Sequence, residues 1–377
     1  MNTYEKRRAA LYDWMSREHI DLIMFEDAEG RRDSTVRWLS GHPSDAALFL
    51  SAGRRSLLMP WDIHISARYR DADQVIPYTD FERSPFKALR AAAEIFTLPA
   101  GSKVEVPPAS PYPMVLRYKE VLGGFTILCR DSGAHHEAAR ARAVKDPGEI
   151  GLYRRVAAIT NDIIARIEEE AGSGRIAVEQ DAALFIEAAC RDLGCEGTGF
   201  ETIAAGPGRS GAIHAFPGYT KEAFAGAGLS ILDFGLKYQG YTSDVTLTFA
   251  RAPLTEAQEQ MVSLTEKAYG LALGLVRDGA FARDIGAAAH DFLRGAGQQL
   301  VHGLGHGIGL DVHEFPSFSI RPDNDCALCT GMVFALEPGI YDPVQGGCRL
   351  ENDILLTENG AEVLTRARII RLPAAQP

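Results

Sequence analysis

The sequence is short of several features that would assign it to particular classes of protein. It contains no run of about 18 apolar residues, the length a helix needs to cross a bilayer, so we expect no membrane span. Its formal net charge is −11. Because nucleic acids and anionic membranes are bound by basic surfaces, neither is expected as a partner. Residues 1–16 include charged residues but no apolar segment, so we expect no secretory signal peptide.

Cysteine is also scarce in this chain, with six residues in 377. They form no dense framework of the kind found in disulfide-rich secreted domains, so the expected location is a reducing cytoplasm. Cys326 and Cys329 have the CxxC spacing, but no second pair completes a zinc site, and we interpret them as ordinary thiols. Neither a G-x-S-x-G motif nor a catalytic cysteine context is present, which disfavours a nucleophile supplied by the protein.

The length of the chain indicates two domains, because 377 residues exceed what one ordinary core holds. Residues 1–140 alternate between helix-like and strand-like segments, starting with a helix near 4–18 and a strand at 21–25, which predicts a small α/β domain. We expect a boundary near 140–147 and a second domain over 145–370.

The second domain shows one pattern of elements twice. Asp146 can cap a helix, Pro147 suits its first position, and Glu149 follows the cap by three residues. A second capping box runs from Thr255 to Gln258. Each helix is followed by another, at about 178–192 or 282–295, and then by strands, at about 199–250 or 299–370. We therefore predict two copies of a helix, helix, strands unit.

The first copy contains two aspartates in a predicted hairpin, 230-SILDFGLKYQGYTSDVTLTFA-250. Asp233 and Asp244 are equidistant from the midpoint between Tyr238 and Gln239. A turn centred there would place them opposite each other, about 5 Å apart at Cβ. Two facing carboxylates repel, so one must take up a proton or a cation must lie between them.

The second copy contains two glutamates in a similar arrangement. Glu337 and Glu351 are equidistant from Val344 in 332-MVFALEPGIYDPVQGGCRLENDILLTENG-360, and both follow an apolar run. An acid at the buried side of a strand is costly unless it is paired or binds a metal. Nearby, 301-VHGLGHGIGLDVHEFP-316 holds three histidines among four glycines.

Either pair of acids alone is compatible with an ordinary surface hairpin, and a lone histidine is more often structural than a ligand. Together, four carboxylates and an imidazole indicate a site for two divalent metals. Mn, Co, Fe and Zn suit these ligands. Calcium is not expected, because it rarely takes imidazole as a ligand. A structural zinc site is not expected either, because it would contain more cysteine and histidine.

These segments resemble one family. The stretches 233-DFGLKYQGYTSD-244, 302-HGLGHGIGLDVHE-314, 337-EPGIY-341 and 349-RLENDILLTENG-360 match in order, spacing and context the M24 metallopeptidases of the pita-bread fold. These include Xaa-Pro dipeptidases (prolidases), aminopeptidase P, creatinases and methionine aminopeptidases. The resemblance covers about residues 145–368. It implies an α+β fold, with an N-terminal creatinase-like α/β domain over 1–140 and a pita-bread domain of pseudo-twofold helix-helix-strand halves over 145–370.

The resemblance also implies a role for each site residue. The expected metal ligands are Asp233, Asp244, His306, Glu337 and Glu351, with glycines that let the backbone pass close to two divalent ions, manganese favoured. Three further residues are implied to act on the substrate or on a ligand. His214 would lie beside the substrate, His313 would donate to the developing oxyanion, and Arg349 would orient a ligand carboxylate or a substrate carboxylate.

The implied function is cleavage of the bond between an N-terminal residue and proline, by a hydroxide that the metals activate, with Glu337 as proton shuttle. The alternative is a non-peptide amide or C–N hydrolase, or a lyase, of the same fold: creatinase-like, ectoine-hydrolase-like or dimethylsulfoniopropionate-lyase-like. A third reading is a non-catalytic binding module, which typically loses ligands. Leu247 departs from the family, which frequently has arginine there, and this bears on substrate choice.

The resemblance further implies a small peptide as substrate and a homodimer. In the family's homodimers the N-terminal domain helps to close the partner's site. Arg37, Trp38, Trp61 and Asp62 are candidates for that role. The simpler interpretation, which we favour, is that Trp38 and Trp61 are core aromatics.

Overall fold

The computed structural model describes residues 1–374 and divides into two units, the first comprising Met1–Arg142 and the second beginning at Ala143. None of the helices within residues 1–374 combines the length and the apolar character needed to cross a bilayer.

The first unit is built on a six-stranded mixed sheet. Its strands are β1 (Leu22–Asp27), β2 (Ala46–Ser51), β3 (Arg55–Pro60), β4 (Gln74–Val75), β5 (Lys103–Glu105) and β6 (Thr126–Leu128). Its helices are α1 (Thr3–Glu18), α2 (Ser34–Ser40), α3 (Ile63–Arg68), α4 (Pro85–Ile95), α5 (Tyr112–Val121) and α6 (Ala134–Ala143), with a 3₁₀ turn at Tyr78–Phe81.

The strand order of this sheet is β4-β3-β2-β1-β5-β6, in which β1, β2 and β3 are antiparallel and the remaining pairs are parallel. Every residue of β1 and β2 is buried, as in a sheet covered on both faces. The predicted alternation of helices and strands is confirmed for this unit.

The two tryptophans considered as core residues differ in the structure. Trp38 is 5% exposed, which agrees with the favoured interpretation. Trp61 is 44% exposed, so the interpretation as a core residue is wrong for it. It follows β3 at the surface, with the guanidinium of Arg83 4.4 Å from its ring centroid, and the neighbouring Asp62 caps α3.

The second unit contains longer helices and several antiparallel sheets. Its helices are α7 (Pro147–Gly172), α8 (Glu179–Asp192), α9 (Glu256–Leu275) and α10 (Ala282–Gly295). Its strands are β7 (Gly197–Thr198), β8 (Ile203–Ala205), β9 (Gly228–Phe234), β10 (Leu236–Tyr238), β11 (Tyr241–Thr242), β12 (Val245–Arg251), β13 (Gly305–Gly307), β14 (Glu314–Ser317), β15 (Val333–Leu336), β16 (Gly339–Asp342), β17 (Gly346–Arg349), β18 (Asn352–Thr357), β19 (Gly360–Val363) and β20 (Ile369–Leu372).

The helix starts agree with the capping patterns of the sequence. Asp146 accepts from the backbone of Gly148 and Glu149, and the Glu149 side chain accepts from the backbone of Asp146. Thr255 and Gln258 form the same reciprocal pair at α9. Each box satisfies amide groups that a helix start otherwise leaves without partners, so both predicted helix starts are confirmed.

The order helix, helix, strands occurs twice in the second unit, as predicted. After α7 and α8 comes a sheet of order β20-β12-β9-β8, and after α9 and α10 one of order β14-β13-β15-β18-β19. One part of the first prediction is wrong. Residues 206–227 form neither helix nor strand, although strands were expected over 199–250.

The first acidic hairpin has a different register from the predicted one. The turn consists of Gln239 and Gly240, whose φ angles are 48° and 89°, and β10 pairs with β11 around it. Asp233 therefore lies opposite Thr246 in the β9–β12 pair. The predicted direct opposition of Asp233 and Asp244 is wrong because the centre of the turn lies one residue later.

The second acidic hairpin has the predicted register. Leu336 pairs with Asn352 and Gly339 with Arg349, so the pairing is symmetric about Val344. The hairpin is divided into two pairs of strands, β15–β18 and β16–β17. The division falls at Glu337 and Glu351, which precede β16 and β18 respectively.

Candidate metal centre

The five predicted ligands face one cavity of about 640 Å³ in the second unit. Three of them approach most closely: Asp244, His306 and Glu351 each offer a ligand atom, and these atoms lie within 4.8 Å of one another. The Nε2 atom of His306 is 3.6 Å from Oδ2 of Asp244 and 3.7 Å from Oε1 of Glu337. The predicted set is therefore brought together in space.

The four acids occupy corresponding positions in the two halves. Asp233 lies near the end of β9, and Glu337 directly follows β15. Asp244 directly precedes β12, and Glu351 directly precedes β18. The repeated arrangement of strands thus supplies one acid at each matching strand end, and this explains why both pairs reach the same cavity.

Thr246 joins the two halves. Its carbonyl oxygen accepts from the backbone of Glu351 at 3.2 Å, and its hydroxyl donates to Oε2 of Glu351 at 2.7 Å. Since Thr246 also lies opposite Asp233, one threonine fixes the position of one acid from each half. Sequence reasoning missed this residue, because a threonine in a strand is not unusual.

The glycines beside His306 allow strands to approach closely. A Cβ atom on Gly305 would collide with the carbonyl oxygen of Ala335 on β15, and one on Gly307 with that of Phe315. We expected glycine to let the backbone pass close to the metals. In the structure the close neighbours of these two glycines are instead backbone atoms of adjacent segments, which hold β13 and therefore His306 in place.

The ring of His306 is oriented for ligation through Nε2. Its Nδ1 atom lies 3.2 Å from the carbonyl oxygen of Gly307, which favours hydrogen on Nδ1 and leaves the Nε2 lone pair facing Asp244 and Glu337. Burial and the nearby His313 lower the pKa of His306 to about 4. The imidazole is therefore neutral at pH 7, the form that binds metals.

The carboxyl groups show the opposite shift. Burial raises the pKa of each of the four acids, to about 8 for Glu351 and well above the ordinary value for Asp244 and Glu337. Repulsion by neighbouring acids adds to the shift for Asp244, Glu337 and Glu351. Acids that are crowded together and removed from water in this way are stable only when protons or a cation offset their negative charge.

These residues fit a pair of divalent cations. The donor set of four carboxylates and one neutral imidazole suits the harder transition metals. In addition, Oδ1 of Asp233 is buried and has no hydrogen-bond partner among the described residues, as expected of an atom that ligates a cation.

Arg349 is buried next to the predicted ligands and contacts one of them. It is 1% exposed, and its Nη2 atom donates to Oδ2 of Asp233 at 2.5 Å. Its other nitrogens donate to Thr246 and Tyr341 and to the carbonyl oxygen of Ile213. Because its donors are engaged by protein, the carboxylate that Arg349 contacts is that of Asp233, a predicted ligand, rather than one from a substrate.

The remaining histidines also lie in the cavity wall. His214 and His313 line it, and His313 packs edge-on against His306 with ring centroids 4.2 Å apart. Burial, followed by the proximity of His214, lowers the pKa of His313. His302 interacts with the hydroxyl of Tyr341 at 2.9 Å and lies 3.8 Å from Glu337.

Two further residues of the site were missed by the sequence analysis. Asp353 is fully buried and accepts from the backbone of Asp244 at 3.0 Å, so it fixes the start of β12. Tyr341 links His302 and Arg349 through its hydroxyl. Asp353 could have been suspected from its position two residues after Glu351, in the same stretch of strand.

A family model described as metallopeptidase family M24 matches residues 151–358. Among curated proteins, the chain is 31% identical to the Xaa-Pro dipeptidase of Pyrococcus furiosus over 227 residues, which are 60% of this chain and 64% of that protein. It is 34% identical to the probable dipeptidase PepE of Mycobacterium bovis over 250 residues, which are 66% of this chain and 64% of that protein. The chain thus spans 64% of the length of these relatives.

Similarity to solved structures extends further along the chain. The crystal structure of X-Pro aminopeptidase from Thermotoga maritima superposes with a TM-score of 0.82 at 25% identity and covers 97% of this chain and 99% of its own. This likeness confirms the expected mixed fold with a pita-bread domain. Because the family model spans more than half of the chain, the chain belongs to metallopeptidase family M24.

Proposed function

We propose that this protein is a hydrolase with a dinuclear metal centre that cleaves the bond between an N-terminal residue and proline. The observation that carries the proposal is the group of four carboxylates, three buried and that of Glu337 partly buried, that faces a single cavity together with one neutral imidazole. The names of relatives, Xaa-Pro dipeptidase and X-Pro aminopeptidase, support proline-containing peptides as substrates.

We infer that Asp233, Asp244, His306, Glu337 and Glu351 hold two divalent ions, with manganese favoured. Bound ions of this kind lower the pKa of a water molecule towards neutrality and polarise a carbonyl group. Arg349 positions Asp233 through the 2.5 Å contact and keeps its Oδ1 atom directed away from other protein donors.

The remaining steps fall to residues of the cavity. Glu337 accepts a proton from the attacking water and delivers it to the leaving nitrogen, which must be protonated because a prolyl amide is tertiary. The neutral ring of His313 donates a hydrogen bond to the developing oxyanion. His214 contacts the substrate from the loop 206–227.

Three broader features belong to the same proposal. The domains are residues 1–140, which we propose to be creatinase/prolidase-like, and 145–370, which carry the catalysis. The division of the chain near residue 142 supports this arrangement.

We also propose that the protein is a homodimer, because it resembles the family. We propose a cytoplasmic location because cysteine is scarce in the chain.

The test is hydrolysis of Ala-Pro, Leu-Pro and Xaa-Pro-Yaa tripeptides by metal-stripped protein after addition of Mn, Co or Zn. We expect no cleavage by the stripped protein and restoration by at least one metal, and the ratio of dipeptide to tripeptide cleavage assigns the branch. Failure of every metal to restore cleavage, in protein that binds two ions per chain, contradicts the peptide substrate.

A further inference from the structure

One charged residue in the cavity wall has no part in the metal centre. Glu201 lines the cavity and is exposed. Within the part of the chain that the structure describes, its carboxylate has no ion-pair or hydrogen-bond partner. An acid that neither ligates nor pairs with protein is available to a group of the substrate.

Glu201 lies two residues before β8, the strand that pairs with the strand of Asp233. Glu201 and Ile203 both line the cavity, while Thr202 between them is buried, as expected when side chains alternate along an extended segment. Ile203 lies opposite Asp233 in the β8–β9 pair. Glu201 therefore lines the same cavity as the predicted ligands Asp233, Asp244 and Glu351.

The charge of Glu201 is not balanced by an arginine or lysine side chain of the described cavity wall. None of the described residues that line it is lysine or arginine. Arg349 touches the centre but is 1% exposed and donates to Asp233.

The wall around Glu201 is apolar. Phe200, Ile203, Ile213 and Val312 line the same cavity, and Phe216 is 92% exposed at its edge. An apolar wall with a single unpaired acid suits a ligand group with an aliphatic stem and a cationic end, since such a group buries its stem and keeps its charge near solvent.

We propose that Glu201 selects substrates whose N-terminal residue is arginine or lysine. The inference rests on the proposed cleavage of Xaa-Pro bonds, because Xaa is the side chain that varies between such substrates while proline is fixed. Glu201 is then the determinant of specificity for Xaa, and an acidic Xaa is disfavoured by repulsion.

The test compares Arg-Pro, Met-Pro and Glu-Pro, or the corresponding Xaa-Pro-Ala series, in metal-loaded protein. Methionine matches the stem of arginine without its charge. We expect kcat/KM to be about fivefold higher for arginine than for methionine, as for an exposed charge pair, with the difference mainly in KM and smaller at high salt. Glu201→Gln should reduce the ratio of kcat/KM for Arg-Pro to that for Met-Pro to about twofold or less. Glu201→Lys should make Glu-Pro a better substrate than Arg-Pro.

Glu222→Gln is the matched control, because Glu222 is exposed and does not line the cavity. It changes net charge equally and should keep the wild-type ratio. A ratio near one in the wild type, or an unchanged ratio in Glu201→Gln, overturns the inference while leaving the proposed cleavage intact. If no peptide is cleaved, the proposed activity fails. Calorimetric binding of Arg-Pro and Met-Pro to the same proteins then decides the inference, and equal affinities contradict it.

Discussion

At the scale of single residues, the centre depends on one buried arginine as much as on its acids. Arg349 is the only arginine or lysine that the described structure places in hydrogen-bond contact with a predicted ligand carboxylate. It holds Asp233 and, through Thr246 and Tyr341, the groups that contact Glu351 and His302. The guanidinium fork suits this task because its donors point in fixed directions.

Arg349→Met should therefore destabilise the metal-free protein by about 3–5 kcal/mol, since Asp233 is left as a buried acid without its partner. Urea unfolding of metal-free wild type and variant measures this. Arg349→Lys, which keeps the charge but loses the fork, should recover only part of the loss. Full stability of Arg349→Met would show that the contact with Asp233 is not needed for the fold.

At the scale of elements, the position of His306 is set by the packing of β13 against β15. His306 pairs with Ala335, and the glycine before it has no room for a side chain. Glycine in a strand costs stability, so its presence at Gly305 is explained by the carbonyl oxygen of Ala335. The glycines of this segment thus have individual roles, and they differ in the space around them.

Gly305→Ala should weaken divalent-metal binding and lower stability by about 1–3 kcal/mol, because the added methyl forces β13 away from β15 and displaces His306. Gly303→Ala is the control from the same segment, since its nearest neighbour would be 3.9 Å from the new Cβ. Thermal unfolding and metal titration of both variants provide the comparison. Equal behaviour of the two alanine variants would contradict this account of the segment.

The two acidic hairpins indicate how far elements can be predicted from the sequence. Symmetry about Val344 predicted the pairing of the second hairpin, because its connection is centred between the two glutamates. The same reasoning failed for Asp233 and Asp244. Gln239 and Gly240 both have positive φ and form a two-residue turn, which shifts the register. Gly240 favours the second position of a two-residue turn, and this residue preference would have predicted the register better than symmetry between the two aspartates did.

At the scale of the whole molecule, what the sequence did not reveal is the set of contacts between distant segments. Thr246 with Glu351 and Asp353 with Asp244 are each separated by more than 100 residues. No local pattern marks such contacts, since they arise only when the two halves pack together. The motifs predicted the ligands, whereas the groups that position these residues required the structure.

The crowding of acids predicts how stability depends on pH. In the metal-free protein the pKa of Glu351 is raised from 4.5 to about 8. The folded state therefore binds this proton more tightly than the unfolded state, and the associated stability is present below about pH 4.5 and lost as the pH rises to about 8. The melting temperature of metal-free protein should fall over this range, by an amount on the order of a few degrees.

Melting curves of metal-free wild type and Glu351→Gln between pH 5 and 8 measure this dependence. The variant should show the smaller decline, because one titrating group is removed. Added Mn should raise the melting temperature more at pH 8 than at pH 5, since protons compete with the metal at low pH. A stability that rises with pH in the same way for both metal-free proteins would contradict the electrostatic account.

The most direct test of the account is the number of divalent ions bound per chain, measured by equilibrium dialysis against Mn for wild type and Asp244→Asn. The account predicts two ions for the wild type and fewer for the variant, because Asp244 faces both His306 and Glu351. A wild-type chain that binds no ion, or an Asp244→Asn chain that still binds two with unchanged affinity, would contradict the assignment of these residues as a metal centre.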